Sequence, residues 1–155
     1  MEAPAPWADA FAGAAPAGES FLTSRDYTLL EGHLYRRGED GPQPLLARLI
    51  RAKLSHARVV LTGDVDADVA TGDSRVVIAV DGRPDESRLL VHWDDDRVRG
   101  DTLRVATLLG ATVLGMRAGQ EARLLRADGS LGRVLLRQVA FQPEAFRNRA
   151  IRNAR

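Results

Sequence analysis

Three features of the chain predict an α+β fold. Two stretches of helical apolar spacing are separated by a Gly- and Pro-rich break; a series of short β-rich runs follows, with Asp-Gly pairs between some of them; and one apolar, glycine-bounded segment lies late in that series. The expected order is a short antiparallel helical hairpin and then an antiparallel-rich sheet packed on one short helix.

Residues 1–21 form a leader rich in Ala, Pro and Gly with no apolar period, so they are expected to be disordered: they cannot bury enough surface to offset ordering entropy. Residues 22–57 are read as the hairpin. Thr23 followed by Asp26 has the form of a capping box, and Tyr27, Leu30 and Leu34 then recur at helical spacing. The run Arg37-Gly38-Glu39-Asp40-Gly41-Pro42 reverses the chain. A second helix starts near Pro44 and runs to about Ser55, with Leu46, Leu49 or Ile50, and Leu54 toward its partner. An arm of about 12 residues is about 18 Å long, too short to hold in water without packing on something else.

Residues 58–146 carry the strand signals, in Val59–Leu61, Arg75–Val80, Arg88–Trp93, Ala122–Leu125 and Val134–Phe141. Asp81-Gly82 and Asp128-Gly129 supply the positive φ of tight turns and imply antiparallel neighbours. Leu108 to Gly115 is read as a buried helix that Gly115 terminates. Residues 147–155, with Arg147, Arg149, Arg152 and Arg155, are read as a basic solvated tail ordered only near Phe146.

Composition narrows the function classes. The chain has 155 residues, 45% of them hydrophobic and 28% charged, and no apolar run approaches the roughly 20 residues that span a bilayer. No membrane role and a cytoplasmic location are expected, since Glu2 stands where a secretory signal would be basic. There is no cysteine, which removes disulfides, thiolate nucleophiles and thiolate metal sites together. A formal net charge of +1 lacks the positive field of a protein that grips DNA by its phosphates, so direct DNA binding is not expected. Lys53 is the only lysine among the basic residues, a pattern attributed to GC-rich coding.

The candidate chemical sites are weak. Asp64, Asp66 and Asp68 alternate like calcium-loop ligands, but Val69 and Arg75 occupy the positions that need glycine and glutamate. Asp94-Asp95-Asp96 with Asp101 reads as a hydrated turn. His33, His56 and His92 have no zinc spacing, and His33 is placed on a helix surface. Gly110 and Gly115 resemble a phosphate loop, yet Met116-Arg117 replaces the required Lys-Ser/Thr. No nucleophile elbow is present. No catalytic residue, metal or cofactor is assigned, and the expectation is a binder, not an enzyme.

Val139-Ala140-Phe141-Gln142-Pro143-Glu144-Ala145 resembles the end of the regulator of nucleoside diphosphate kinase, Rnk, where an aromatic-Gln-Pro-Glu-Ala run closes the last strand. Val105 to Gly115 resembles the Gre-type motif that leads through a turn into Gly-x-Ala-Leu-Leu-Gly, with Gly110 and Gly115 in register, and Arg117 to Glu121 resembles the strand start that follows it. Leu108 stands where that family has proline. The likeness to the Rnk and GreA/GreB group extends over roughly Phe21 to Phe146. It implies an FK506-binding-protein-like (FKBP-like) domain of curved strands around one helix, and docking on bacterial RNA polymerase near its secondary channel in competition with Gre factors. It also places Thr107, Leu108, Leu109 and Gly110 at the polymerase contact and likens Glu39 and Asp40 to the acids at a Gre hairpin tip. The implied protein is a non-catalytic monomer. Its rivals are a free-standing module for protein or nucleic acid and, less favoured, a transcript cleavage factor or a peptidyl-prolyl isomerase.

Overall fold

The computed structural model describes residues 19–36, 44–93 and 100–154. Most of the leader, the hairpin tip with Glu39 and Asp40, and the Asp94-Asp95-Asp96 triplet lie outside them.

The order is β1 (Phe21–Thr23), α1 (Ser24–Arg36), α2 (Pro44–His56), β2 (Arg58–Val60), β3 (Arg75–Val80), β4 (Glu86–Val91), β5 (Thr102–Arg104), α3 (Leu108–Val113), β6 (Glu121–Leu125), β7 (Leu131–Phe141) and α4 (Pro143–Asn153), with a 3₁₀ turn at Thr62–Asp64. The fold is α+β, built on a five-stranded sheet of order β5-β4-β3-β7-β6. β3 pairs antiparallel with both β4 and β7, β6 pairs antiparallel with β7, and the short β5 lies parallel to β4.

Both Asp-Gly pairs make their turns with carboxylate help. Asp81 and Gly82 have φ of 52° and 74°, and Asp81 accepts the Arg133 backbone N–H at 2.9 Å and a guanidinium bond from Arg126. Those bonds hold its carboxyl below the usual range. Asp128 is lowered in the same direction by the Ser130 hydroxyl and N–H that it accepts at 2.6 and 2.9 Å.

The two long helices do not stand off from the body. Leu30 of α1 and Leu46, Leu49 and Ile50 of α2 belong to one continuous core with Val76, Ile78 and Leu90 of the sheet and Ala111 and Val113 of α3. Helices of 13 residues, about 20 Å long at the helical rise, thus obtain from the shared core the apolar cover that water denies them.

Four features differ from the sequence reading. β1 begins at Phe21, where the leader was still expected, and pairs in parallel with β2, Phe21 opposite Arg58 and Thr23 opposite Val60. β5 was not anticipated. The capping box is half made: Thr23 Oγ1 accepts the Asp26 N–H at 3.0 Å, but the Asp26 side chain turns inward instead of back to the cap. The segment read as a basic tail continues α4 to Asn153, because Pro143 opens the helix and the Gln142 side chain caps it by accepting the Ala145 N–H at 3.2 Å.

Candidate interaction site

β4 and β5 run parallel, with Val91 opposite Arg104, so the residues that follow each strand emerge at the same end of the sheet. His92 and Trp93 follow β4, and Val105 to Thr107 follow β5. The Val105 N–H donates to the Val91 carbonyl at 2.8 Å, which fastens the two segments together.

The turn into α3 is fixed by Thr107. Its hydroxyl donates to the Arg104 carbonyl at 2.7 Å and accepts the Gly110 N–H at 3.0 Å, closing the turn and capping the helix at once. Gly110 is buried so tightly that a Cβ there would lie 1.9 Å from the Arg104 carbonyl oxygen, so the backbone approach admits only glycine. Leu108 and Leu109 are half-buried, one side against the core and the other open. Thr112, a polar residue in a buried stretch, returns its hydroxyl to the Leu108 carbonyl at 2.7 Å. Gly115 ends the segment as expected, with φ of 87°.

Lys53 crosses from α2 to the other end of α3. Its ammonium donates to the Thr112 carbonyl at 2.7 Å and to the Leu114 carbonyl, neutralising the electron-rich C-terminus of α3. Enclosure of the ammonium pushes its pKa down to about 7. In a chain otherwise furnished with arginine, this position is served by the compact point charge of a lysine. The sequence reading of Lys53 as the remainder of a coding bias missed this role.

Beside the turn lies a buried polar chain. The Asp26 carboxylate accepts the His92 Nε2–H at 2.8 Å and the Gly72 backbone N–H at 3.1 Å. On the other side of the ring, His92 Nδ1 and His33 Nε2 share a hydrogen bond of 3.1 Å. The two imidazoles stack at 5.4 Å, and the Trp93 ring sits 4.5 Å from that of His33. Gly72 permits the approach: a Cβ there would fall 2.7 Å from the His92 ring. His33 is 4% exposed, so its expected place on a helix surface is wrong. It stands seven residues after Asp26 and three after Leu30, on the face that α1 buries.

The remaining candidates resolve into scaffolding. Asp66 and Asp68 receive the two ends of the Arg117 guanidinium, each at 2.9 Å, and hold no calcium-loop geometry. Asp101 pairs with Arg75 at 2.9 Å. Among the described residues no group of three or more His, Asp or Glu is placed to hold a metal ion, and no helix is long and apolar enough to cross a membrane. The Gln142-Pro143-Glu144 run is a lock: Gln142 Nε2 donates to the Asp66 and Val69 carbonyls at 2.7 and 2.8 Å, and buried Glu144 accepts the Thr71 hydroxyl at 2.8 Å.

Comparison of the whole chain with solved structures bears on the architecture. The prokaryotic transcription elongation factor GreA/GreB from Nitrosomonas europaea superposes with a TM-score of 0.60 at 24% identity, covering 79% of this chain and all of the other. The chain therefore has a fold similar to that of a GreA/GreB factor. Gfh1 and the Gfh1 protein of Thermus thermophilus align more loosely, at TM-scores of 0.38 and 0.35 and identities of 16% and 18%, covering 80% and 77% of this chain and 99% and 97% of theirs. No family model matches the sequence, and no curated protein matches it. Fold is what the likeness to the Nitrosomonas europaea protein establishes.

Proposed function

We propose that this chain is a non-catalytic, Rnk-like regulator that binds bacterial RNA polymerase near the secondary channel and competes there with Gre factors. The reading rests on a fold similar to that of a GreA/GreB factor over the whole of that protein's length. The docking surface is the turn at Thr107, Leu108, Leu109 and Gly110. It suits an interface because Gly110 and Thr107 fix the backbone while Leu108 and Leu109 keep open apolar flanks at the end of the sheet that also carries Trp93, 42% exposed. The Rnk-like FKBP-type architecture and the monomeric state belong to the same proposal.

A helix pair held by the shared core supports an occupying role over a chemical one. On this proposal, arms of only about 20 Å are too short to bring the acids Glu39 and Asp40 to the polymerase metal.

The test is capture of core RNA polymerase by the full chain, followed by titration of a Gre factor into the complex. Retention of polymerase and its mutual displacement by the Gre factor are expected, together with loss of retention in Leu109→Asp when its melting curve is intact. Failure to retain core polymerase at micromolar concentrations overturns the proposal.

A further inference from the structure

The net charge of +1 conceals an uneven distribution. On the body of the protein many arginines sit against carboxylates, as Arg75 on Asp101, Arg137 on Asp85 and Arg117 on Asp66 and Asp68. On α4 they do not. Arg147, Arg149 and Arg152 are exposed and meet no carboxylate among the described residues, and the helix's one acid, Glu144, is buried against Thr71.

The helix also runs past its platform. Glu144 is buried and Asn148 donates to the Gly63 carbonyl at 3.2 Å, marking one stripe as the docked side. Ile151, three residues further along that stripe, is 58% exposed. Beside the helix two phenylalanines form an open pair: Phe141 at the end of β7 is 44% exposed, Phe146 is 61% exposed, and their ring centroids lie 5.7 Å apart.

We infer that α4 and the Phe141–Phe146 pair form a binding surface for single-stranded nucleic acid, in which Arg147, Arg149 and Arg152 follow the phosphates and the phenylalanine rings receive unstacked bases. Unbalanced arginines specify a polyanion. The adjacent exposed rings favour nucleic acid over an acidic protein surface, because aromatic faces stack on bases and gain nothing from carboxylates. Bases paired in a duplex hide those faces, so the single strand is preferred. This surface is separate from the turn proposed for polymerase, and either can fail without the other.

Fluorescence anisotropy of labelled oligo(U) and oligo(dT) with the full chain tests the inference. Single-strand binding is expected with a slope of log affinity against log salt of about −2, from three phosphates at roughly 0.7 each. A duplex of equal length should bind more weakly. The Arg147→Glu, Arg149→Glu, Arg152→Glu variant should lose binding, Phe146→Ala should weaken it roughly fivefold to a hundredfold, and Arg123→Glu, on an exposed position of β6, should leave it unchanged. Preference of RNA over DNA or the reverse identifies which single strand the surface takes. Binding that is independent of salt, equal affinity for the duplex or for poly-glutamate, or full affinity in the triple variant overturns the inference.

Discussion

The His92 imidazole and the Asp26 carboxylate, 66 positions apart in the chain, meet at 2.8 Å with both side chains almost wholly buried. The pair fastens the first turn of α1 to the end of β4 and orients His33 and Trp93 beyond it. Removing the carboxylate strands two buried donors, His92 Nε2–H and the Gly72 N–H. Asp26→Ala is therefore expected to lose roughly 3 kcal/mol of stability in urea unfolding, and Asp26→Asn, which keeps one acceptor, distinctly less. Equal stability of Asp26→Ala and the parent would show that the chain of bonds contributes nothing.

Lys53 should leave its mark on the pH dependence of stability. Its folded pKa of about 7 lies below the unfolded value of 10.5, so between those limits the unfolded chain binds more protons. Stability contributed by this group accordingly rises from pH 7 toward pH 10.5, and the full cost of the enclosed charge is present below pH 7. Urea midpoints at pH 6, 8 and 10 should climb for the parent relative to Lys53→Met. Parallel curves for the two proteins would contradict the assignment.

Gly110→Ala is expected to open the turn, since the added carbon would lie 1.9 Å from the Arg104 carbonyl. A destabilisation of about 1–3 kcal/mol by thermal unfolding is expected. On the proposed function, polymerase retention should fall with it although Leu108 and Leu109 are untouched. Parent-like melting would mean that the backbone at Arg104 yields freely.

Gln142→Ala removes the donor to the Asp66 and Val69 carbonyls together with the cap of α4. A loss of about 2–4 kcal/mol is expected from one cap and two bonds, with hydrogen exchange fastest in α4 and in residues 66–70. Protection lost elsewhere first would place the lock in the wrong part of the molecule.

On the proposed function, the chain should not stimulate transcript cleavage in a backtracked polymerase complex, and it should inhibit a cleavage factor added in competition. Robust cleavage that disappears in the Glu39→Ala, Asp40→Ala variant would move the protein into the class that assists catalysis.

The helices were legible because Leu30, Leu46 and Ile50 recur at helical spacing and bury where that spacing points. The longer strands were legible from β-branched runs between Asp-Gly turns. β1 and β5, three residues each, were not: neither carries a period, and both exist because a distant backbone offers them partners, Arg58–Val60 to one and Leu89–Val91 to the other. The length of α4 was misjudged from its composition, since its cap is a side chain whose other bonds reach back to residues 66 and 69. Thr107 and Gly110 were singled out, but the Asp26–His92–His33 chain was missed. The spacing of Asp26, Leu30 and His33 was the available signal: a leucine at the centre of a helical face implies that polar residues four before and three after it go inside with it.

β1 and β2 lie side by side where the hairpin leaves the body and where it returns, Phe21 against Arg58. The excursion between them is in effect a drawer on a fixed rail, and only its front, beyond the residues that share the core, can be lengthened without disturbing the cabinet. Each full turn added to both arms would advance the tip by about 5.4 Å while the stitched base stayed in register. On the proposed function, a graded set of such insertions would serve as a depth gauge for the polymerase opening, with the length at which the tip first touches bottom reporting how far beneath the rim it lies.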